Sequence, residues 1–130
     1  MNGQEITLRV PGQREYALVL RTALGGVAML KDLDTGALDD LRNASDEAVD
    51  CLLHQGRNVQ WLTLTVQDGG DTLNVCLCAD FCGTADKQAD PEENDVSRAV
   101  LETLIPQVDL VSTPCGCVSS IKMTLLRTAI

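Results

Sequence analysis

Val59 to Gln67 and Thr72 to Ala79 alternate apolar and polar residues on either side of Asp68-Gly69-Gly70-Asp71. Alternation is the period of a half-buried strand, and a Gly-rich break of this length suits a tight reversal. The pattern predicts an antiparallel hairpin in the middle of the chain. A half-buried hairpin needs a layer to cover its apolar face, and the flanking segments supply one.

Between Gln13 and Lys31, Ala17, Leu20, Leu24, Val27 and Leu30 recur at helical spacing, although Gly25-Gly26 weakens the middle of the helix. Asp34 or Thr35 caps a second helix running to about His54, with Leu38, Leu41, Ala48, Val49, Leu52 and Leu53 on one side and Gln55-Gly56 as its stop. Residues 86–95 hold five acids, one lysine and a proline without apolar periodicity, which predicts a solvated loop or lid. A third helix follows, with Val96, Ala99, Val100, Thr103 and Leu104 as its apolar face and Pro106 at its end. Three short strands complete the set: Ile6 to Val10 before Pro11-Gly12, then Val108 to Ser112 and Val118 to Leu126 around Pro114-Cys115-Gly116. The expected fold is α+β, a two-layer sandwich with a mixed, mostly antiparallel sheet of about five strands and three helices on one face. No repeat or linker interrupts it, so residues 1–130 are expected to form a single domain.

Composition narrows the partners. The hydrophobic share is 45%, yet Tyr16, Trp61 and Phe81 are the only aromatic residues, so the core falls to Leu, Val, Ile and Ala and no base-stacking platform is available. Ten basic against nineteen acidic residues give a net charge of −9, which repels nucleic acid and anionic membranes alike. No apolar run reaches the ~20 residues of a membrane span, and MNGQEITLRV lacks the layout of a signal peptide, so a cytoplasmic protein is expected. In that compartment Cys51, Cys76, Cys78, Cys82, Cys115 and Cys117 are expected as reduced thiols. Neither Cys-x-Cys pair has zinc-ribbon spacing, and no metal site is assigned.

The segments VPGQREYALVLRTALGGVAML and LDDLRNASDEAVDCLLHQG resemble the bacterial anti-sigma-factor serine kinases, whose ATPase fold is shared with histidine kinases, Hsp90 and gyrase B. The most specific match is Asp46-Glu47-Ala48-Val49-Asp50-Cys51-Leu52-Leu53-His54, similar to the family's Glu-Ala-Val-x-Asn-Ala-Ile-x-His. The resemblance implies that Glu47 stands where the family has its base, and Cys51 where it has the asparagine that holds magnesium. Sulfur is a poor ligand for magnesium. Asp80-Phe81-Cys82-Gly83-Thr84 corresponds to the family's Asp-x-Gly-x-Gly, keeping the adenine-reading Asp80 but placing a side chain at Cys82. Asn94-Asp95-Val96-Ser97-Arg98 corresponds to the phosphate-binding Gly-x-Gly, with Asp95 and Ser97 at the glycine positions. Gly116 matches the family's last-turn glycine, with Ser119 or Ser120 as its hydroxyl.

The acids of 86–95 would face a triphosphate. Each carboxylate near a phosphate costs on the order of 1 kcal/mol in a water-like dielectric, and Lys87 and Arg98 do not offset five. The resemblance therefore implies a degenerate member, a regulatory protein-binding domain in transcription or stress control, with no ATP or magnesium as cofactor. Its implied partners are a sigma factor or an anti-sigma antagonist, and homodimeric pairing is common in the family. Two alternatives stand beside it: an active ATP-dependent protein serine kinase with Glu47 as base, and a thiol-based metal or redox sensor. The same residues also have plain readings. Glu47 is equally an ordinary helix carboxylate, Asp80 a strand-end turn residue, and His54 a helix terminus. If the fold holds, Cys51, Cys78, Cys82 and Cys117 should surround the former nucleotide pocket.

Overall fold

The computed structural model describes residues 4–83 and 89–126. The central hairpin forms as its alternation predicts, with β1 (Glu5–Pro11) preceding it in the chain. Strands β2 (Asn58–Asp68) and β3 (Thr72–Cys82) pair antiparallel, Leu64 opposite Leu77 and Val66 opposite Val75. The turn uses Gly70 at φ +86°, a left-handed position that glycine occupies without a Cβ penalty. Asp68 Oδ1 accepts from the Gly70 amide at 2.9 Å. With β4 (Gln107–Ser112) and β5 (Val118–Leu126), the sheet has the order β1-β2-β3-β5-β4. Every pairing is antiparallel, so the sheet is not mixed among the described strands. Pro11-Gly12 does more than turn the chain, because a Cβ on Gly12 would lie 2.3 Å from the Val59 carbonyl oxygen.

Helix α1 (Ala17–Leu30) follows a short 3-10 turn, Arg14–Tyr16. Helix α2 (Thr35–Leu53) starts at Asp34, whose side chain accepts from the Ala37 amide at 2.8 Å and satisfies an otherwise orphaned donor. Helix α3 (Pro91–Leu104) starts at Asp90, which accepts from the Glu92 amide at 2.9 Å, with Pro91 in the first turn where no donor is missed. Leu62, Leu64, Val66, Leu73, Val75, Leu77, Ile121, Met123 and Leu125 line one face of the sheet. They share one core with Leu20, Leu24 and Ala28 of α1, Leu41, Ala44, Ala48, Val49 and Leu52 of α2, and Leu101 of α3. This is the expected α+β sandwich, with five strands and three helices among the described residues. Burying each large aliphatic side chain stabilises it by roughly 1.5–3 kcal/mol.

Three expectations are corrected. Residues 91–95 are not loop but the first turns of α3, because the Asp90-Pro91 start signal prevails over the acidity that follows it. Asp86 and Lys87 of the expected lid lie outside the described residues. The apolar face assigned to the third helix is out of phase: Val96, Ala99, Val100 and Thr103 are exposed, while Ser97 and Leu101 point inward. Leu30, at the last position of α1, is also exposed.

Candidate functional site

Glu47, Cys51 and Gln55 are spaced four residues apart, so one flank of α2 and the residues just past its end present them in a row. Across from them, α3 presents Ser97 and Asn94. Ser97 Oγ donates to Glu47 Oε2 at 3.2 Å, and the Cys51 thiol donates to Asn94 Oδ1 at 3.8 Å. Gln55 closes the row. Its side-chain amide donates to Asn94 Oδ1 at 2.7 Å and to the Cys51 carbonyl at 2.7 Å. Its oxygen accepts from the Val118 backbone N–H at 2.9 Å and from Asn94 Nδ2 at 3.3 Å. Only 1% of Gln55 is exposed. A buried amide with every strong group paired ties the end of α2 to α3 and to the start of β5.

Burial pushes the Cys51 thiol above its ordinary range, and the Glu47 carboxylate adds to the shift, while a hydrogen bond with Ser97 and the charge of Arg98 pull the other way. The neutral thiol is the favoured form. Outside this row a cavity of about 490 Å³ opens between α2 and α3. Asp50, Asp90, Glu92 and Glu93 line it together with His54, and no lysine or arginine does so among the described residues. Arg14 pairs with Asp50 at 2.6 Å, and Arg21 pairs with Asp46 one turn earlier, so α2 is also held from the α1 side. His54 Nδ1 lies 2.6 Å from the Asp50 carbonyl oxygen, a helix-end contact.

Of the residues singled out in the sequence, the structure brings together Glu47, Cys51 and Ser97. Asp80 lies on the sheet face away from the helices, because β3 turns Leu77 and Ala79 inward and leaves the even positions outward. Cys82 is exposed at the end of β3, and Gly83, at φ +72°, follows it with its carbonyl accepting from Arg57 at 2.8 Å. Gly116 takes φ +88° in the turn before β5 and adjoins the row through Cys117, whose buried thiol donates to the Gln55 carbonyl at 3.6 Å. Ser119 donates to the Val111 carbonyl at 3.4 Å, and Ser120 faces the outer side of the sheet. The expected ring of four thiols is therefore corrected: Cys51 lines the cavity and Cys117 backs the row, whereas Cys78 is on the opposite sheet face and Cys82 stands clear at its strand end.

Gln55 and Asn94 escaped the sequence reading. Gln55 reads as part of a helix stop, and Asn94 only as the first residue of the stretch that corresponds to the phosphate-binding Gly-x-Gly, with no role of its own. The available signal was the four-residue spacing that Gln55 shares with Glu47 and Cys51.

No family model matches the sequence, and no curated protein matches it. Among solved structures, the chain is similar to the RsbU and RsbW domains of Rv1364c from Mycobacterium tuberculosis, with a TM-score of 0.71 at 13% identity. The match covers 98% of this chain and 35% of that one. Likeness at this identity concerns the fold, and the fold agrees with the one expected from the motifs.

Proposed function

We propose that this chain is a regulatory protein-binding domain of the anti-sigma-factor kinase-like type, acting in transcriptional or stress control without efficient ATP binding. The observation that carries the reading is the row Glu47–Ser97, Cys51–Asn94 and Gln55–Asn94, in which α2 and α3 bond to each other at the positions where the family motifs would hold a metal-bound triphosphate. The residues present do not suit that ligand. A neutral, buried thiol stands at the magnesium position, the carboxylate at the base position accepts from Ser97, and four acids line the adjoining cavity. Separating the helices to admit a nucleotide would break both Gln55–Asn94 bonds and leave the Asn94 amide without these partners, at roughly 1–3 kcal/mol for a group left unpaired, while Gln55 keeps the Cys51 carbonyl and the Val118 N–H.

The fold shared with about a third of the chain that carries the RsbU and RsbW domains, together with the motif resemblance, supports a sigma factor or an anti-sigma antagonist as partner. A single domain over residues 1–130, cytoplasmic location and homodimeric pairing belong to the same proposal. No helix of the described residues is long and apolar enough to cross a membrane. The test is calorimetric titration of the purified chain with the sigma factors and antagonists of its source organism, with and without Mg-ATP. Saturable binding to one of them, with the same affinity in both buffers, is the expected result. Phosphate transfer to a partner serine that Glu47→Gln abolishes would instead establish the kinase.

A further inference from the structure

The chain has two Cys-x-Cys pairs, and only one of them is held as a pair. Cys115 and Cys117 sit in the turn before β5, one exposed and the other buried against Gln55. Cys76 and Cys78 are both half-buried on the outer face of β3, with their sulfurs 3.4 Å apart. Ser120 of the neighbouring strand stands beside them, its Oγ 3.4 Å from Cys76 Sγ and 3.6 Å from Cys78 Sγ. Register places it there, since Ser120 is directly opposite Cys78 on β5. The core is on the other side of the sheet, so these side chains are not needed to fill it.

We propose that Cys76 and Cys78 form a dithiol clasp for a thiophilic trivalent metalloid, arsenic(III) being the type, with the Ser120 hydroxyl beside the bound centre. Geometry selects this class over the alternatives. Residues i and i+2 of a strand have Cα atoms about 6.6 Å apart, at the far end of what a disulfide spans, so direct oxidation of the pair would strain β3. A bridging atom relieves that limit. Two sulfurs at 3.4 Å both reach a centre with bonds of about 2.3 Å, as in metal thiolates, when the angle between the bonds is about 95°. That is the pyramidal angle of a trivalent centre and is narrower than the tetrahedral angle of zinc. Zinc also wants four ligands, and no group of three His, Cys, Asp or Glu is found among the described residues.

The chemistry balances without an oxidant. An organoarsenic oxide bearing one As=O group reacts with two thiols, two As–S bonds form, and the oxygen leaves as water carrying both S–H protons. Thiols rather than thiolates are consumed.

The experiment treats the folded 130-residue chain with phenylarsine oxide and reads the adduct by intact-protein mass spectrometry under native conditions. One arsenical per chain with loss of one water is expected, reversed by a dithiol but not by an equal excess of a monothiol. Cys76→Ser and Cys78→Ser should each weaken the adduct roughly a hundredfold, because the second bond is no longer intramolecular. Cys115→Ser should leave it intact. If a serine variant melts early, threonine, which suits a strand, replaces it. Failure of the folded chain to form the adduct, or an adduct that survives Cys76→Ser or Cys78→Ser at full strength, would overturn the clasp.

Discussion

Helix α2 has two flanks that do different work. Toward the sheet it presents Leu41, Ala44, Ala48 and Leu52, fully buried and apolar, whereas toward α3 it presents Glu47 and Cys51, with Gln55 in line beyond its end. The first flank draws its stability from area removed from water and tolerates any partner of suitable shape. The second works through directional bonds, so it fixes which residues of α3 must face inward. That difference explains why Ser97 and Asn94, rather than Val96 and Val100, meet α2. The apolar flank holds the fold together, and the polar flank decides what the space between the helices can contain.

The largest expected effect comes from the apolar flank. Leu52→Ala, at a site with no exposure, should lower unfolding stability by about 2–5 kcal/mol in urea titration, with an unchanged m-value. Gln55→Ala should cost less, about 1–3 kcal/mol, since it leaves the Val118 amide and the Asn94 side chain without their partner. A double-mutant cycle with Asn94→Ala sharpens the comparison. Coupling of roughly 1 kcal/mol is expected, and additive losses would mean that the two amides do not act as a unit.

Much of the first flank was legible in the sequence. Asp34 caps α2, the 59–67 and 72–79 alternation gives the hairpin, and β5 spans Val118–Leu126 as the pattern indicates. These features depend on hydrophobic period and cap chemistry, which are local. The second flank was not legible, because periodicity finds apolar faces and is blind to a polar face that buries itself against another polar face. Hence the phase of α3 was misread and Gln55 passed over. Glu47, Cys51 and Ser97 were recognised through the family motif rather than through any pattern of their own. Cys78 shows the opposite error, since the inward turn of Leu77 and Ala79 already put it on the outer face.

Smaller effects test the edges of the seam. Asp90→Ala removes the cap that starts α3 beside the cavity and should cost about 1 kcal/mol, read as a lower thermal midpoint. The pH dependence is smaller still. Folding holds the Cys51 proton more tightly than the unfolded chain does, so its contribution is complete below the thiol's ordinary 9.0 and is lost as pH rises from there toward the raised folded value. Stability should therefore fall on the alkaline side of pH 9, and Cys51→Ser should flatten that fall. An unchanged alkaline branch in the variant would show that Cys51 does not contribute to it.

The row between α2 and α3 is closed by the chain's own side chains, and the acid-lined cavity beside it is expected not to receive a metal-bound triphosphate. Thermal unfolding in millimolar Mg-ATP tests it directly, because any ligand bound only by the folded state raises the midpoint. The midpoint should stay unchanged within about 1 °C, whereas saturable binding at a hundred times its dissociation constant would add about 2.7 kcal/mol and several degrees. A rise of that size, abolished when magnesium is chelated, would contradict it.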